Sequence, residues 1–484
     1  MAVFYNAGET KKRPGVYQRH SNVGFDSLSA AQDGICAIPV KANWGPVGKV
    51  LKNALASDLE KNYGSGEYSA NYTVPAASAM FEGGASVVYT YRLGTGGTAA
   101  SITLRDTADG AQDAVVITAK YPGSRAFTCS VRAKLSDPAV KEVLIYDGTK
   151  TVERFEIAAG GDEAAALVAA AEASQSFIVT RQGGYSGAGT LANVSNIAFT
   201  PGTDPIVSNE DYSAAFAALE PYYYNTIALD VDDDTNMTLS LLLQSYLDSA
   251  YQMGKLGVAV VGEKATVPFE TRCVHAKTYN DAKAVYLGGG WDTVSGKRDG
   301  VMAICYTAGL IASTPTTQGI THTVIKGATD VLEALTYAQY EQAIDSGMLM
   351  VSLSPDGSVW YDTGINTLTA PDSDTQDAGW KKIRRVKIRF ELIDRLDREL
   401  GPKVARSPVI LTAWPTLFRP ASGFWTPWQT RGSCCPARPS QRTVPTPTAA
   451  TPPGSPSRPT TSTPWRKSIC CISSGTVRTL KMEA

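Results

Sequence analysis

The sequence predicts a mixed α/β protein in which an α/β core is interrupted by a β-rich insertion. Three observations predict it. From residue 209 onward, apolar strands alternate with helix-spaced segments. Between residues 99 and 203 the pattern changes to short alternating runs separated by Gly, Pro and Asp. After residue 400 neither pattern continues. The 484 residues, 43% hydrophobic and 19% charged, suit two to four domains of an ordinary globular chain. No window approaches the roughly 18 to 20 apolar residues of a membrane span, and the chain is expected to be soluble, without membrane insertion, and cytoplasmic unless lysis releases it.

Residues 1–27 read as an extended N-terminal arm. Pro14 fixes its own φ and pushes Arg13 out of the helical region, and Gly15, Val16 and Tyr17 leave the turn extended. The partner is either another subunit or the chain's own domain. Residues 28–98 open the core. Gly34 to Val40 is a short buried strand ended by Asn43-Trp44-Gly45-Pro46; Asp58 to Tyr63 is a helical turn capped by Gly64; Ser78 to Phe81 belongs to a helix; Ala85 to Leu93 is a strand. In the inserted β-rich domain, a sandwich or barrel over 99–203, strands are expected at 101–105, 114–119, 127–133, 142–146, 151–157 and 176–180. One Ala-rich helix, with Asp162 as N-cap, interrupts them, and Gly-rich hinges bound the whole.

Residues 204–330 resume the core: the strand Tyr224 to Asp230, a helix from Met237 to Met253 with Leu239, Leu242, Leu243, Tyr246 and Leu247 on one stripe, and the strand Gly257 to Val261. Ala284 to Leu287, Val301 to Ser313 and Val324 continue the alternation, which implies parallel pairing through crossover helices. Residues 331–400 form a partial C-terminal domain. It holds a helix from Tyr337 to Ser346, a hairpin of Met348 to Leu353 with Val359 to Tyr361, and basic residues alternating as in a strand from Lys382 to Phe390. An amphipathic helix with Leu392, Ile393, Leu396 and Leu400 on its apolar side follows.

No segment makes a convincing active site. In the run Asp230, Asp232, Asp233, Asp234, the flanks do not supply the Gly and closing Glu of a calcium loop, so a solvated strand end is expected. His20, His275 and His322 have no ligand spacing. Gly288-Gly289-Gly290 lacks the Lys-Ser/Thr of a phosphate loop and reads as a flexible turn. Cys36, Cys129, Cys273 and Cys305 are scattered, as reduced buried thiols are. No catalytic residue, metal or cofactor is therefore expected. Lys381, Lys382, Arg384, Arg385, Lys387 and Arg389 present charge to water or to an acidic partner surface.

Together these features resemble the tail sheath proteins of contractile phage tails and related bacteriocin particles. Lys12 to Tyr17 is similar to the family's N-terminal motif. Gly34 to Val40 with Asn43 to Pro46 resembles the strand and Trp-Gly-Pro turn that follow it, and Trp360-Tyr361-Asp362 and Lys382 to Leu400 come in the family's order. The resemblance covers residues 1 to about 400. It implies a subtilisin-like core without catalysis, and a virion subunit assembled in the host bacterial cytoplasm into six-membered rings stacked helically around a tail tube. A tail tube protein, baseplate and tail terminator are the implied partners, with no direct nucleic acid contact. It also implies that Arg13, Pro14, Gly15, Val16 and Tyr17 pair with a neighbouring subunit; residues 381–389 are the candidate tube-facing set. Two other readings compete: a surface- or carbohydrate-binding module at 99–203, for which Tyr121 and Tyr185 are too isolated, and an α/β hydrolase, for which no nucleophile–base pair is visible.

Residues 401–484 depart from all of this. They hold 14 of the 27 prolines, four of the eight tryptophans and two Cys-Cys pairs, with 11 basic residues against one acid, whereas residues 1–400 hold 34 basic against 45 acidic. Either this is a disordered basic tail, or it is translated in the wrong frame from a point between about 400 and 412. Starting each codon one base earlier, Phe424 to Pro436 becomes x-Leu-Asp-x-(Leu/Met/Val)-Ala-(Asn/Asp), followed after three residues by two apolar positions and Ser or Pro. Thr463 to Ile472 then permits Asp-Ser-Met-Glu-Lys-Ile-Tyr-Leu-Leu-Tyr, similar to the segment before the family's C-terminal strand. A chain lacking that text is expected to be poorly soluble or unable to polymerise.

Overall fold

A computed structural model of the chain describes residues 3–4, 17–18, 33–107, 111–187, 190–231, 237–372, 376–404, 471–473 and 476–478. Two units divide it, residues 1–371 with 378–405 and residues 372–377 with 406–484.

In the first unit the elements run β1 (Val3–Phe4), β2 (Tyr17–Gln18), β3 (Ile35–Val40), β4 (Val50–Asn53), α1 (Ala56–Tyr63), α2 (Val74–Glu82) and β5 (Val87–Arg92). The β-rich stretch follows, with β6 (Ser101–Arg105), β7 (Asp113–Ala119), β8 (Thr128–Lys134), β9 (Asp137–Asp147), β10 (Lys150–Ala158), α3 (Glu163–Ala171), β11 (Phe177–Arg181) and β12 (Val194–Ala198). Next come α4 (Asn209–Leu219), β13 (Thr226–Ala228), α5 (Thr238–Gln252), β14 (Val258–Gly262), α6 (Phe269–Tyr279), β15 (Ala284–Leu287), β16 (Trp291–Thr293), β17 (Gly296–Arg298) and α7 (Val301–Ser313). The rest is β18 (Ala328–Val331), α8 (Tyr337–Ser346), β19 (Met348–Leu349), β20 (Val351–Leu353), β21 (Val359–Tyr361), a 3-10 turn at Ala378–Lys381, and α9 (Ile383–Val404). In the second unit, β22 (Cys471–Ser473) and β23 (Thr476–Arg478) pair as an antiparallel hairpin.

The core is a seven-stranded sheet of order β19-β15-β14-β13-β3-β5-β4, parallel except for the edge strand β4. Both faces are covered. Cys36, Ile38 and Val40 of β3 pack with Leu59, Met80, Ile304, Val386 and Phe390, from α1, α2, α7 and α9. Ile35 and Ala37 pack on the opposite side with Tyr212, Leu243, Cys273 and Ala343, from α4, α5, α6 and α8. Burial on both faces is why the central strands read as continuous apolar runs rather than as alternation. Helices α2 and α7 cross at two glycines: a Cβ on Gly309 would lie 2.1 Å from the Met80 carbonyl oxygen, and one on Gly83 would lie 2.1 Å from that of Tyr306.

The stretch from 99 to 203 builds a four-stranded sheet, β10-β9-β8-β12, and a three-stranded sheet, β11-β7-β6. Their inner residues share one core with Leu167 of α3, Phe127, Phe177 and Phe199, and Trp44 of the Trp-Gly-Pro turn inserts into it from the α/β side. Asp162 caps α3 as expected, accepting from the Ala165 amide. The buried Lys141 ammonium meets Glu163 at 2.8 Å and donates to the Leu191 carbonyl. Where Gly-rich hinges are expected, the two crossing segments pair instead: Thr95 bridges Ile206 and Thr98 bridges Thr203, with the two threonine hydroxyls 3.0 Å apart. Arg92, fully buried at the end of β5, donates to the carbonyls of Ala42 and Gly45 on the α/β side and of Pro122 on the β-rich side. The neck is a pinned ribbon.

Three local expectations change. Ile383 to Phe390 is the start of α9 rather than a strand, and Lys382 just before it bridges Ile365: Ile383, Val386 and Phe390, at helical spacing, are the helix's buried stripe. The expected strand Met348 to Leu353 breaks at Met350, so that β19 extends the main sheet and β20 pairs with β21. Gly288, Gly289 and Gly290 are buried, not a flexible turn. A Cβ on Gly288 would meet Met348 Sδ at 2.1 Å, and the Gly288 carbonyl accepts from the buried Arg272 guanidinium.

Candidate functional site

In an open parallel sheet the strand order reverses at one point, and the crevice beyond the carboxyl ends there is the usual ligand position. Here the reversal falls between β3 and β13. Lys41 follows β3 directly and Asp230 lies two residues past β13. Their side chains approach to 3.5 Å. Thr73, just before α2, donates to Asp230 Oδ2 at 2.8 Å and accepts from the Lys41 amide, and the Tyr212 hydroxyl of α4 donates to Asp230 Oδ1 at 2.7 Å. Asp230 is 2% exposed, so the expected solvated strand end is in fact a buried carboxylate held by three partners. Asp232, Asp233 and Asp234 lie outside the described residues. A cleft of about 510 Å³ opens beside this cluster, lined in part by Lys41, Asn71, Ser208, Asn209 and Tyr212. Nothing local in the sequence announces the cluster, because 189 positions separate Lys41 from Asp230.

The remaining titratable groups are tied into structure. Burial pushes the Cys36 and Cys129 thiols up to about 12, opposed at Cys36 by a hydrogen bond from Thr226, so both are protonated. His275 Nδ1 is 2.8 Å from Glu263, which also accepts from the buried Tyr286 hydroxyl. His322 stacks on Trp360 at 4.2 Å, and His20 lies outside the described residues. Among the described residues no group of three or more His, Cys, Asp and Glu side chains is placed to hold a metal ion. No described helix is long and apolar enough to cross a membrane. Tyr121 packs edge-on against Trp44 at 5.5 Å and Tyr185 lies under Arg181, so neither belongs to an aromatic platform.

Of the candidate arm, Arg13, Pro14, Gly15 and Val16 lie outside the described residues, while Tyr17 opens β2 and pairs in parallel with Val3 of β1. The basic set does not share one face. Lys381 donates to the Ile344 carbonyl, Arg384 to that of Thr316, and Lys387 to those of Ile311 and Thr314 at the end of α7. Arg389 lies over the Trp380 ring at 4.2 Å. Lys382 and Arg385 have exposed side chains.

This architecture is the fold of solved sheath tail proteins. The crystal structure of one from Desulfitobacterium hafniense superposes with a TM-score of 0.67 at 18% identity, covering 87% of this chain and 88% of that one. Another, from Listeria innocua, gives 0.64 at 20% identity over 83% and 86%. Residues 206–367 match the family described as phage tail sheath protein central domain. Two Bacillus subtilis (strain 168) proteins align over 407 residues: the uncharacterized protein YqbK at 25% identity, covering 82% of this chain and 80% of the relative, and the phage-like element PBSX protein XkdK at 24%, covering 82% and 81%.

Proposed function

We propose that this chain is the structural subunit of a contractile tail sheath, which polymerises around a tail tube and shortens to drive that tube through a bacterial envelope. The family match over residues 206–367 carries the reading, because that span supplies β13 to β21 and so most of the parallel sheet. The subunit acts mechanically, in hexameric rings stacked between a baseplate and a tail terminator, assembled in the host cytoplasm and carried in the virion or a prophage-derived particle. The doubly covered parallel sheet supports a subtilisin-like description of the core. Two sheets around their own core, joined through one neck, support treating 99–203 as an inserted domain.

Arg13 to Tyr17 forms the linking arm. Two residues of β1 against two of β2 make too short a ladder to be stable alone, so an added strand from a neighbour is favourable. Of the basic set, Lys382 and Arg385 remain for contact with the tube. Electron microscopy of the purified chain, as read and with its C-terminal reading frame restored, tests the proposal: stacked rings or helical tubes from either support it, and monomers from both rule it out. Charge reversal at Lys382 and Arg385 together is expected to abolish co-sedimentation with the tube protein without unfolding the body.

A further inference from the structure

On α9, Ile383, Val386 and Phe390 are buried against the body, yet Ile393, three residues beyond Phe390 and seven beyond Val386, is 41% exposed. The apolar spacing continues in the sequence at Leu396 and Leu400. A stripe of this kind is made to be covered. The alignments with the Bacillus subtilis relatives leave about a fifth of each chain unmatched.

We infer that the gene has lost one base between about codons 400 and 412, and that the helix written in the displaced frame is what covers α9 at Ile393. One cause accounts for the missing acids, the Cys-Cys pairs and the tryptophans. A codon for Asp or Glu begins GA, and read one base late it begins with A, giving Thr, Asn, Lys, Ser, Arg, Ile or Met but never an acid. Each Cys-Cys pair, Cys434-Cys435 and Cys470-Cys471, is a late reading of two apolar codons, the second always Leu. Each Trp is a late reading of Leu, Met or Val followed by a codon starting with G. In the displaced text over Trp425 to Cys435 the apolar residues stand at i, i+3, i+4, i+9 and i+10, and all but i+9 fall on one side of a helix.

The inference does not depend on assembly, so its test uses the unassembled chain. The DNA is sequenced first: a displaced frame open from codon 412 to the end of the present reading is expected, and a stop codon within it overturns the inference. One base is then inserted after codon 404, and the full chains are compared by binding of a dye that reports exposed apolar surface. Restoration is expected to lower dye binding roughly threefold. Ile393→Glu is expected to reverse that gain in the restored chain and to leave the thermal midpoint of the present chain unchanged. Equal dye binding, an insoluble restored chain, or an Ile393→Glu effect of the same size in both refutes the coverage.

Discussion

Lys387 carries a charge where its surroundings oppose one. Burial holds its ammonium down to about 8 from an ordinary value near 10.5, with Asp33 and Glu391 only partly compensating. Below pH 8 the amine is protonated in both folded and unfolded chains, and the folded state bears the full cost of the buried charge. Between about 8 and 10.5 the unfolded chain still binds the proton and the folded chain does not, so this residue adds stability as the pH rises. The expected outcome is a urea midpoint of the wild type that climbs relative to Lys387→Met across that window; parallel pH profiles for the two proteins would show that Lys387 does not titrate there. Asp230 is a buried carboxylate held by Lys41, Thr73 and Tyr212. Asp230→Ala strands the Lys41 charge and is expected to cost about 3 kcal/mol in urea unfolding, the lower end for a broken pair because Lys41 keeps some access to water. A loss within 0.5 kcal/mol, the range of a featureless surface site, would mean that the cluster contributes nothing.

Elements were legible in the sequence wherever one period dominated. The stripe of α5, the capped α3 and the alternating strands β6, β7 and β10 fall where spacing places them, to within a residue or two. Helix α6 escaped because its buried line, Phe269, Arg272, Cys273, Ala276 and Tyr279, includes an arginine whose charge is satisfied by Glu333 and two carbonyls, invisible without the fold. The first turns of α9 escaped for another reason: Val386, Ile388 and Phe390 recur at a two-residue period while Ile383, Val386 and Phe390 recur at a helical one, and only packing against α7 and the sheet decides between them. The short β16, β17 and β18 carry too few residues for any period. The α2–α7 crossing supplies an element-scale prediction. Alanine favours a helix interior by about 1 kcal/mol over glycine, yet Gly309→Ala is expected to destabilise by about 2 kcal/mol, because the added methyl meets the Met80 backbone rather than a side chain that can move aside. A stabilised variant in urea denaturation would show that the two helices can separate at little cost.

At the scale of the whole molecule, the sequence pointed to the order of the parts, and the fold adds how firmly they are joined. The β-rich stretch leaves and re-enters the core through adjacent positions, with Thr95 opposite Ile206 and Thr98 opposite Thr203. Two chain ends already held side by side can be closed by a short turn. The stretch is therefore a cassette: a chain joined from Thr98 to Thr203 through a two-residue Asn-Gly turn is expected to keep the parallel sheet and fold on its own, as judged by circular dichroism and cooperative unfolding. The excision leaves two scars, Trp44 deprived of its aromatic pocket and Arg92 deprived of the Pro122 carbonyl. A trimmed chain that aggregates, and becomes soluble when Trp44 is also replaced by a polar residue, would locate the cost of the junction at that ring. The same geometry suits the neck to accept foreign inserts whose ends lie a strand's width apart, and Trp44 sets the condition on them: each must bring an apolar socket of its own.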